Sequence, residues 1–469
     1  MPARIRLLLA AAIIALSALS GAAYASRAAA DTSVVTDRPM ADLDLNTLVG
    51  AGDPDRRVVE TAYEQVEHSY YQAVDSQLLV DGETKALNCL ITDCVKRPRT
   101  VGHGPLTAGH ATGSSVHDLA LIEGAIDTVN ARYPGAGNKT QVTDVAVGGM
   151  LGGLGDPYTT YLSASAMRSL DEELKGGNFG GIGVYIGKDP KSGLILVDPI
   201  EGNPAIRAGV RTGAAIIAVD NQLTAGMPID DVERHIRGPR GTVVALRVKR
   251  HTGNAIATLH VTRDVVHVPS VRAKIEDGFS YVRLSDFGQT SADEVRDAFA
   301  AAKKQGVNGY ILDLRNNGGG LLDAAVDISS LVVHQGTIVA TIDRAGHREI
   351  RSATGRAIDP LPLVLLVNKY TASASEITAG ALQDDHLATL VGTKTFGKGV
   401  VQSLYTLPKG GALKITTARY VTPNGRDIQH KGIVPDVVLD QRVDLPIIDT
   451  PADKQLAAAK AILRQKDQQ

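Results

Sequence analysis

The most constraining feature of the sequence is residues 361–402, where a compact apolar run is followed by a serine and then by a lysine. Residues 361–367 (LPLVLLV) are too few for a typical helix and predict a buried strand. Ser373 stands three residues before a glutamate, at the head of the amphipathic residues 377–385, which predicts a helix N-terminus. The alternating residues 400–407 predict a second strand. The stretch therefore predicts a strand, a sharp turn, a helix, a loop and a strand.

Ser373 and Lys398 together indicate nucleophilic chemistry, although a plain N-cap is the simpler role for the serine. A helix N-terminus presents unpaired N–H groups and positive partial charge, which suit a developing oxyanion. A lysine serves as the base when burial keeps its amine neutral. If residues 398–404 are extended, Lys398 and Gln402 share one face, so Gln402 could hold the amine through a neutral hydrogen bond.

Two motifs in this stretch resemble those of the carboxyl-terminal processing peptidases, or tail-specific proteases. TASASEI (371–377) with GALQD (380–384) is similar to the nucleophile segment of that family, and FGKGVVQ (396–402) is similar to its base segment. The resemblance covers about residue 116 onward. It implies that Ser373 is the nucleophile, Lys398 the general base and Gln402 its orienting partner. It also implies a supporting role for Asp384.

The glycine turn of residues 316–320 (NNGGG) follows the strand-like residues 310–315 and precedes a predicted helix over 321–333. Such a turn could cradle phosphate or could be only closely packed. By resemblance, it supplies an N–H to the oxyanion hole. The family usually has proline where this chain has Gly318, so we assign the donor to Gly319, with Gly318 as the competitor. Ala374 would supply the second N–H.

Residues 179–264 alternate short strands with a predicted helix over 229–236, an order that resembles a PDZ domain of the protease-associated type. The glycine-rich residues 179–184 precede an extended segment instead of a helix, so they fail the structural context of a dinucleotide-binding motif. By resemblance, Gly181, Ile182 and Gly183 form the loop that binds a C-terminal carboxylate while the peptide adds as a strand. Ala214 stands where the family usually has aspartate.

The N-terminus has the features of a secretory signal over residues 1–25, with a basic start, an apolar centre and an A-x-A site. An uncleaved membrane anchor is the alternative. Residues 26–55 predict a linker. We therefore expect an exported protein, periplasmic or extracellular, with peripheral or N-terminal membrane association left open.

Residues 56–79 have helical periodicity, and residues 81–115 are interpreted as a long loop within a helical N-terminal region of residues 56–165. The loop contains both cysteines, Cys89 and Cys94, which in an exported protein predict a disulfide. A metal site that adds His103 and His110 is the alternative.

Three other classes compete with a serine–lysine peptidase. Residues 392–399 nearly match a phosphate-binding loop, but glycine replaces its Ser/Thr and a strand should follow. A Ser–His–Asp hydrolase lacks a G-x-S-x-G motif. A proteolytically silent PDZ scaffold or adaptor would need none of the three catalytic candidates. The net charge of −2 and scarce aromatic residues give no case for nucleic-acid binding.

The sequence and the resemblance together predict an α/β multidomain chain. A PDZ-like β-rich domain (177–264) precedes an α/β serine protease core (265–440) of the crotonase/ClpP-like type, and a helical tail (441–469) closes the chain. The expected activity is that of a serine endopeptidase acting on proteins or peptides with accessible C-termini. We expect neither a metal nor an organic cofactor, and a homo-oligomer is left open.

Overall fold

The computed structural model describes residues 53–92, 105–174, 179–189, 192–200, 202–250, 255–266, 268–441 and 448–467. The predicted signal segment, most of the linker, Cys94 and His103 lie outside these residues. The described residues form two compact units. The larger contains residues 53–171, 271–440 and 457–467, and the smaller contains residues 172–270 and 441–456, with the gaps given above.

Helices and short strands alternate along much of the chain. In chain order, the helices are α1 (Pro54–Ser69), α2 (Ser76–Thr92), α3 (Ser115–Arg132), α4 (Lys139–Gly153), α5 (Ala164–Leu174), α6 (Pro204–Arg207), α7 (Ile229–Ile236), α8 (Ser291–Lys304), α9 (Leu322–Ser330), α10 (Ala374–Asp384) and α11 (Lys454–Asp467). The strands of the smaller unit are β2 (Phe179–Gly181), β3 (Val184–Lys188), β4 (Ile195–Pro199), β5 (Ala214–Val219), β6 (Gln222–Leu223), β7 (Val243–Lys249), β8 (Ile256–Thr262) and β9 (Asp264–Val266). Those of the larger unit are β1 (Thr160–Leu162), β10 (Val271–Glu276), β11 (Phe279–Leu284), β12 (Tyr310–Asp313), β13 (Thr337–Asp343), β14 (Arg348–Ser352), β15 (Leu363–Val367), β16 (Ala388–Gly392), β17 (Val400–Thr406), β18 (Ala412–Val421) and β19 (Val437–Val438).

Helices α1 to α4 of the larger unit share one apolar core. The Asp53 side chain accepts a hydrogen bond from the Asp55 N–H at the start of α1, and Asn138 with Gln141 forms a capping box at the start of α4. Glycines let α2 and α4 approach closely: a Cβ on Gly153 would lie 1.9 Å from a backbone oxygen of α2. Burial and close packing therefore hold these helices together.

The interpretation of residues 81–115 as one long loop is wrong. Helix α2 extends to Thr92, and the only described residues of the range that lie outside a helix or strand are 105–114. Its buried residues, among them Leu79, Leu87 and Ile91, recur at helical spacing and contribute to the apolar core. The predicted helix over 56–79 is instead two helices, because Tyr70 adopts an extended conformation that ends α1. Cys89 is disulfide-bonded.

The first sheet of the larger unit has the strand order β10-β11-β12-β15-β16-β19. Its strands from β11 to β19 are paired in parallel, and β10 is antiparallel to β11. Strands β12 and β15 are buried throughout, as expected for a parallel sheet covered on both faces. The apolar run of residues 361–367 thus forms a central strand, β15, and the turn with Ser373 follows its carboxyl end.

The second sheet of the larger unit is built around the long strand β18. Strands β1, β13 and β17 all pair with β18, and β14 extends the sheet beyond β13. The pairing of β17 with β18 shifts register between Val401 and Gln402, which indicates a bulge. Strand β18 therefore brings Tyr420 to the segment that contains Lys398.

The smaller unit has a five-strand path, β3-β4-β5-β7-β8, with β6 beside β5 and a separate pairing of β2 with β9. Its own apolar core includes Ile182, Val232 and Ile236. Strand β3 is at the edge of its sheet. In the part of the chain that the structure describes, no helix has both the length and the apolar character to cross a membrane.

Candidate active site

Ser373 occupies a strained turn between strand β15 and helix α10. Its φ is 57° and its ψ is −119°, values that place a non-glycine residue in a sparsely populated region. The side chain is 0% exposed. Such strain persists only where the surrounding contacts enforce it, and it is typical of functional turns.

Glu376 provides one set of those contacts. Its carboxylate accepts hydrogen bonds from the N–H groups of Ser373 (3.0 Å), Gly397 (2.8 Å) and Lys398 (2.9 Å), and from the Thr395 hydroxyl. Burial raises the pKa of this carboxyl, and the four donors act in the opposite direction. One oxygen, Oε2, accepts from both Ser373 and Lys398. The backbone nitrogens of these two residues therefore lie close together.

Tyr420 makes a second connection between the same two residues. Its hydroxyl contacts the carbonyl oxygens of Ser373, at 3.1 Å, and of Lys398. Complete burial raises the pKa of this phenol well above its usual value, so the hydroxyl stays protonated. The serine and lysine backbones are thus held side by side by two buried side chains.

Lys398 is 1% exposed, and its Nζ lies 4.4 Å from the centroid of the Tyr158 ring. That distance suits a cation–π contact when the amine is charged. Gln402 is also buried, and its Nε2 donates to Thr416 Oγ1 at 3.3 Å. Its Oε1 has no hydrogen-bond partner among the described residues, so the expected bond from Lys398 is not formed in this structure.

The turn of residues 316–320 lies against Ser373. A Cβ on Gly319 would be 2.8 Å from Ala374 N and 2.8 Å from Ser373 Cβ, and the φ of Gly319 is 106°. Only glycine fits both constraints. The Gly319 N–H donates to Asn317 Oδ1 at 2.8 Å, whereas the Ala374 N–H makes no hydrogen bond that the described residues reveal.

Asp384 lies at the other end of helix α10. It forms an ion pair with Arg426 and accepts a hydrogen bond from the Asn424 N–H at 2.9 Å. These contacts join the helix to the loop after β18. The near-match to a phosphate-binding loop leads into strand β17, and no helix opens at Lys398.

A separate groove of about 270 Å³ lies within the smaller unit, between strand β3 and helix α7. Its wall includes Gly181, Ile182 and Gly183, together with Ile236 and Arg237 of the helix end. The carbonyls of Ile182 and Gly183 accept bonds from residues 205 and 200, and their N–H groups make no bond that the described residues reveal. Among the described residues, the groove is therefore bordered by the edge strand of a sheet and by a loop whose N–H groups make no hydrogen bond.

Comparison with known proteins identifies the family. Residues 278–439 match the model of Peptidase family S41, and residues 195–250 match that of the PDZ domain. A carboxyl-terminal-processing protease of Picosynechococcus sp. is 40% identical over 326 residues, which are 68% of this chain and 78% of that protein. The chain belongs to peptidase family S41. It is a serine-type peptidase of the carboxyl-terminal processing group with a PDZ domain, and its substrates are proteins.

Two further relatives span most of this S41 peptidase. The carboxy-terminal processing protease CtpA of Bacillus subtilis is 35% identical over 349 residues, which are 73% of each chain. The solved structure of a photosystem II D1 C-terminal processing protease is 31% identical, covers 86% of this chain and 100% of its own, and has a TM-score of 0.47.

Sequence reasoning missed several contacts of the candidate site. Glu376 was recognised only as a helix-capping residue, and Tyr158, Asn317 and Tyr420 were not singled out. Tyr420 is 47 residues away from Ser373 along the chain, so no local pattern reveals their contact. The spacing of Glu376 from Ser373 was the one available signal, because a capping glutamate must lie beside the N–H of the cap residue.

Proposed function

We propose that this S41 peptidase is an exported serine endopeptidase that binds the C-terminal tails of its substrates through its PDZ domain. In this proposal Ser373 is the nucleophile, Lys398 is the general base and Gln402 orients the lysine amine. The N–H groups of Gly319 and Ala374 stabilise the oxyanion. No cofactor is required.

The observation that carries the proposal is the double connection between the serine and the lysine. Glu376 accepts hydrogen bonds from both backbone N–H groups, and Tyr420 contacts both carbonyls. All of these groups are buried, so the connection is made where bulk water does not compete. A backbone held in this way supports side chains that must meet within hydrogen-bond distance.

The reaction then follows from these roles. Ser373 Oγ attacks the scissile carbonyl carbon while its proton passes to the neutral Lys398 amine, and the carbonyl oxygen becomes an oxyanion. Lys398 returns the proton to the leaving nitrogen as the peptide bond breaks, which leaves an ester on Ser373. Water loses a proton to Lys398 and attacks that ester, and the proton then restores the serine hydroxyl.

Gln402 and Tyr158 offer the Lys398 amine two alternative contacts. The unpaired Oε1 of Gln402 is an acceptor in a buried place, and leaving such an atom unsatisfied costs about 1–3 kcal/mol. An amine that turns from the Tyr158 ring to Gln402 would satisfy that oxygen without acquiring a carboxylate neighbour. The neutral amine would then be available to Ser373.

The groove of the PDZ domain suits tail binding. Among the described residues, strand β3 is an edge strand to which a further strand can be added, and Ile182 and Gly183 form the loop between Gly181, at the end of β2, and β3. Available N–H groups of this loop can bind a terminal carboxylate, while the apolar wall with Ile236 accepts a side chain.

The remaining proposals concern organisation. We propose a signal segment over residues 1–25, a linker over 26–55, helices over 56–165, a PDZ-like domain over 177–264, a core over 265–440 and a helical tail over 441–469. The core is proposed to be of the crotonase/ClpP-like type. Export to the periplasm or the extracellular space, association with a membrane and homo-oligomer formation complete the proposal.

A serine-reactive phosphonate tests the assignment directly. We expect the probe to modify Ser373, as mapped by peptide mass spectrometry, and we expect Lys398→Ala to abolish both modification and peptide cleavage. The cleavage rate should fall on acidification, because a protonated lysine cannot act as base; a flat rate down to about pH 5 would count against it. Tail binding without any cleavage by the unmodified protein would favour a scaffold.

A further inference from the structure

The N–H of Gly319 is already bonded within the protein. It donates to Asn317 Oδ1 at 2.8 Å, in a turn that lies against Ser373 and Ala374. Of the two donors of the proposed oxyanion hole, the Gly319 N–H is already hydrogen-bonded. The Ala374 N–H makes no hydrogen bond among the described residues. The two donors are not equivalent before substrate arrives.

Asn317 is firmly held by other contacts. It is 0% exposed, and its Nδ2 donates to the carbonyl of Leu284 at 3.0 Å. Its own carbonyl accepts from the Ala372 N–H at 3.0 Å and from Ser375 Oγ at 3.1 Å. The amide oxygen that faces Gly319 therefore belongs to a residue whose side-chain nitrogen and backbone carbonyl are both hydrogen-bonded.

We propose that Asn317 is a positioning residue whose side-chain oxygen occupies the Gly319 N–H between catalytic cycles and yields it to the oxyanion. This inference rests on the proposed role of Gly319 in the peptidase reaction. Asn317 acts through that N–H and does not itself contact the reacting atoms. Asn317 keeps the buried Gly319 N–H hydrogen-bonded in the free enzyme. Its Oδ1 is then a competing acceptor that the substrate oxygen must displace.

The exchange is favourable only once charge has developed. A neutral carbonyl oxygen of bound substrate offers no advantage over the neutral amide oxygen of Asn317, whereas a charge-assisted hydrogen bond is roughly twice as strong. The Gly319 N–H therefore exchanges the Asn317 oxygen for the oxyanion mainly when the tetrahedral intermediate forms. A donor released in this way stabilises the transition state more than the ground state, which is the condition for catalysis.

The peptide unit between Gly318 and Gly319 can rotate enough for the Gly319 N–H to change its acceptor. Gly318 is partly exposed and has no Cβ, and it precedes Gly319, whose φ is 106°. The next peptide is fixed, because the carbonyl of Gly319 accepts from the Phe287 N–H at 2.9 Å. A small rotation of the 318–319 peptide can thus redirect the N–H without moving the rest of the turn.

The test compares two substitutions that should have opposite effects on the modification of Ser373 by a fluorophosphonate, whose phosphoryl oxygen enters the oxyanion hole. Asn317→Ala removes the competing acceptor, and we expect the modification rate constant to rise about 2- to 10-fold. Asn317→Asp binds the N–H more strongly and opposes the oxyanion charge, and we expect a fall of about 10-fold or more.

Three measurements guard against a purely structural effect. Ser375→Ala is the matched control, because it removes a bond to the Asn317 carbonyl and leaves the contact with Gly319 intact. Binding of a C-terminal peptide to the PDZ domain should be unchanged in all variants. Hydrogen exchange at the Gly319 amide should be slow in the wild-type enzyme and faster in Asn317→Ala.

The outcomes separate this inference from the proposed function. If both Asn317 variants slow the modification in proportion to their loss of stability, Asn317 only shapes the turn and the inference is overturned. A fast-exchanging Gly319 amide in the wild-type enzyme would overturn it as well, and this result does not depend on Asn317→Ala folding. If Ser373 resists the probe in every protein, the proposed function falls together with the inference.

Discussion

Glu376 is the residue whose substitution most directly tests how the serine and the lysine are held together. Its two carboxylate oxygens divide four donors between them. Oε2 accepts from the amides of Ser373 and Lys398, and Oε1 accepts from the Gly397 amide and the Thr395 hydroxyl. The prediction compares glutamine and alanine at this position, because the two substitutions remove different numbers of acceptors.

The magnitudes follow from counting donors that lose their acceptor. In Glu376→Gln, one oxygen can keep the Ser373 and Lys398 amides while the new NH2 group faces Thr395, whose hydroxyl can accept. The Gly397 N–H then has no acceptor, at about 1–3 kcal/mol of unfolding free energy, and the Thr395 hydroxyl proton must turn to another acceptor. Glu376→Ala leaves all three amides and the same hydroxyl proton without that acceptor, at a cost of at least ~3 kcal/mol by the same measure.

Activity should separate the two variants even more clearly than stability does. Glu376→Gln keeps the serine and lysine segments joined, so we expect its kcat/KM to stay within about 10-fold of wild type. Glu376→Ala frees the two segments, and a displacement near 1 Å costs about 100-fold. Urea unfolding and peptide cleavage measure the two quantities, with Glu64→Gln on the exposed face of helix α1 as the control.

Either of two results would refute this reasoning. An alanine variant that folds and retains the kcat/KM of wild type would mean that Glu376 does not set the relation of the two segments. Equal losses in the glutamine and alanine variants would mean that the carboxylate charge matters, and not the sharing of its oxygens.

Three further predictions concern other parts of the molecule. Gly183→Ala should weaken peptide binding at least 10-fold in calorimetry while ester hydrolysis at Ser373 is retained, because a Cβ there would lie 2.2 Å from Asn203 Cβ at a φ of 70°; unchanged binding would contradict the role of the loop. Burial raises the pKa of Glu83 from 4.5 to about 8, so the folded state keeps a proton that the unfolded state has lost, and stability should fall by roughly 5 kcal/mol as the pH rises between these values. Glu83→Gln should flatten that dependence in urea unfolding, and an unaltered slope would assign it to other groups. Tyr420→Phe, which removes a hydroxyl that contacts the carbonyls of Ser373 and Lys398, should cost about 1–3 kcal/mol in unfolding and lower kcat more than it raises KM; a change in KM alone would argue against it.

The elements around Ser373 could be predicted because their signals are local. An apolar run of strand length, a helix cap three residues before its glutamate and an alternating strand each depend on near neighbours in the chain. Helix α7 has the predicted bounds for the same reason. In residues 81–92 the interpretation failed although buried residues there recur at helical spacing. The helix that contains them follows Asp75, whose side chain accepts from the Gln77 N–H at 3.0 Å, and it packs against α4 through glycines.

The sequence alone determined the peptidase motifs, the PDZ-like order of elements and the location of the turn with Ser373, since these depend on residues close together in the chain. Only the tertiary structure revealed that Glu376 and Tyr420 each contact both the serine and the lysine segments, that Tyr158 faces the lysine amine, and that Asn317 occupies the Gly319 N–H. The contacts of Tyr420 and Tyr158, and that of Glu376 with Lys398, join residues far apart in sequence, so local propensity does not specify them. They form because folding buries polar groups that must then find partners, and the partners available are set by the packing of the whole core.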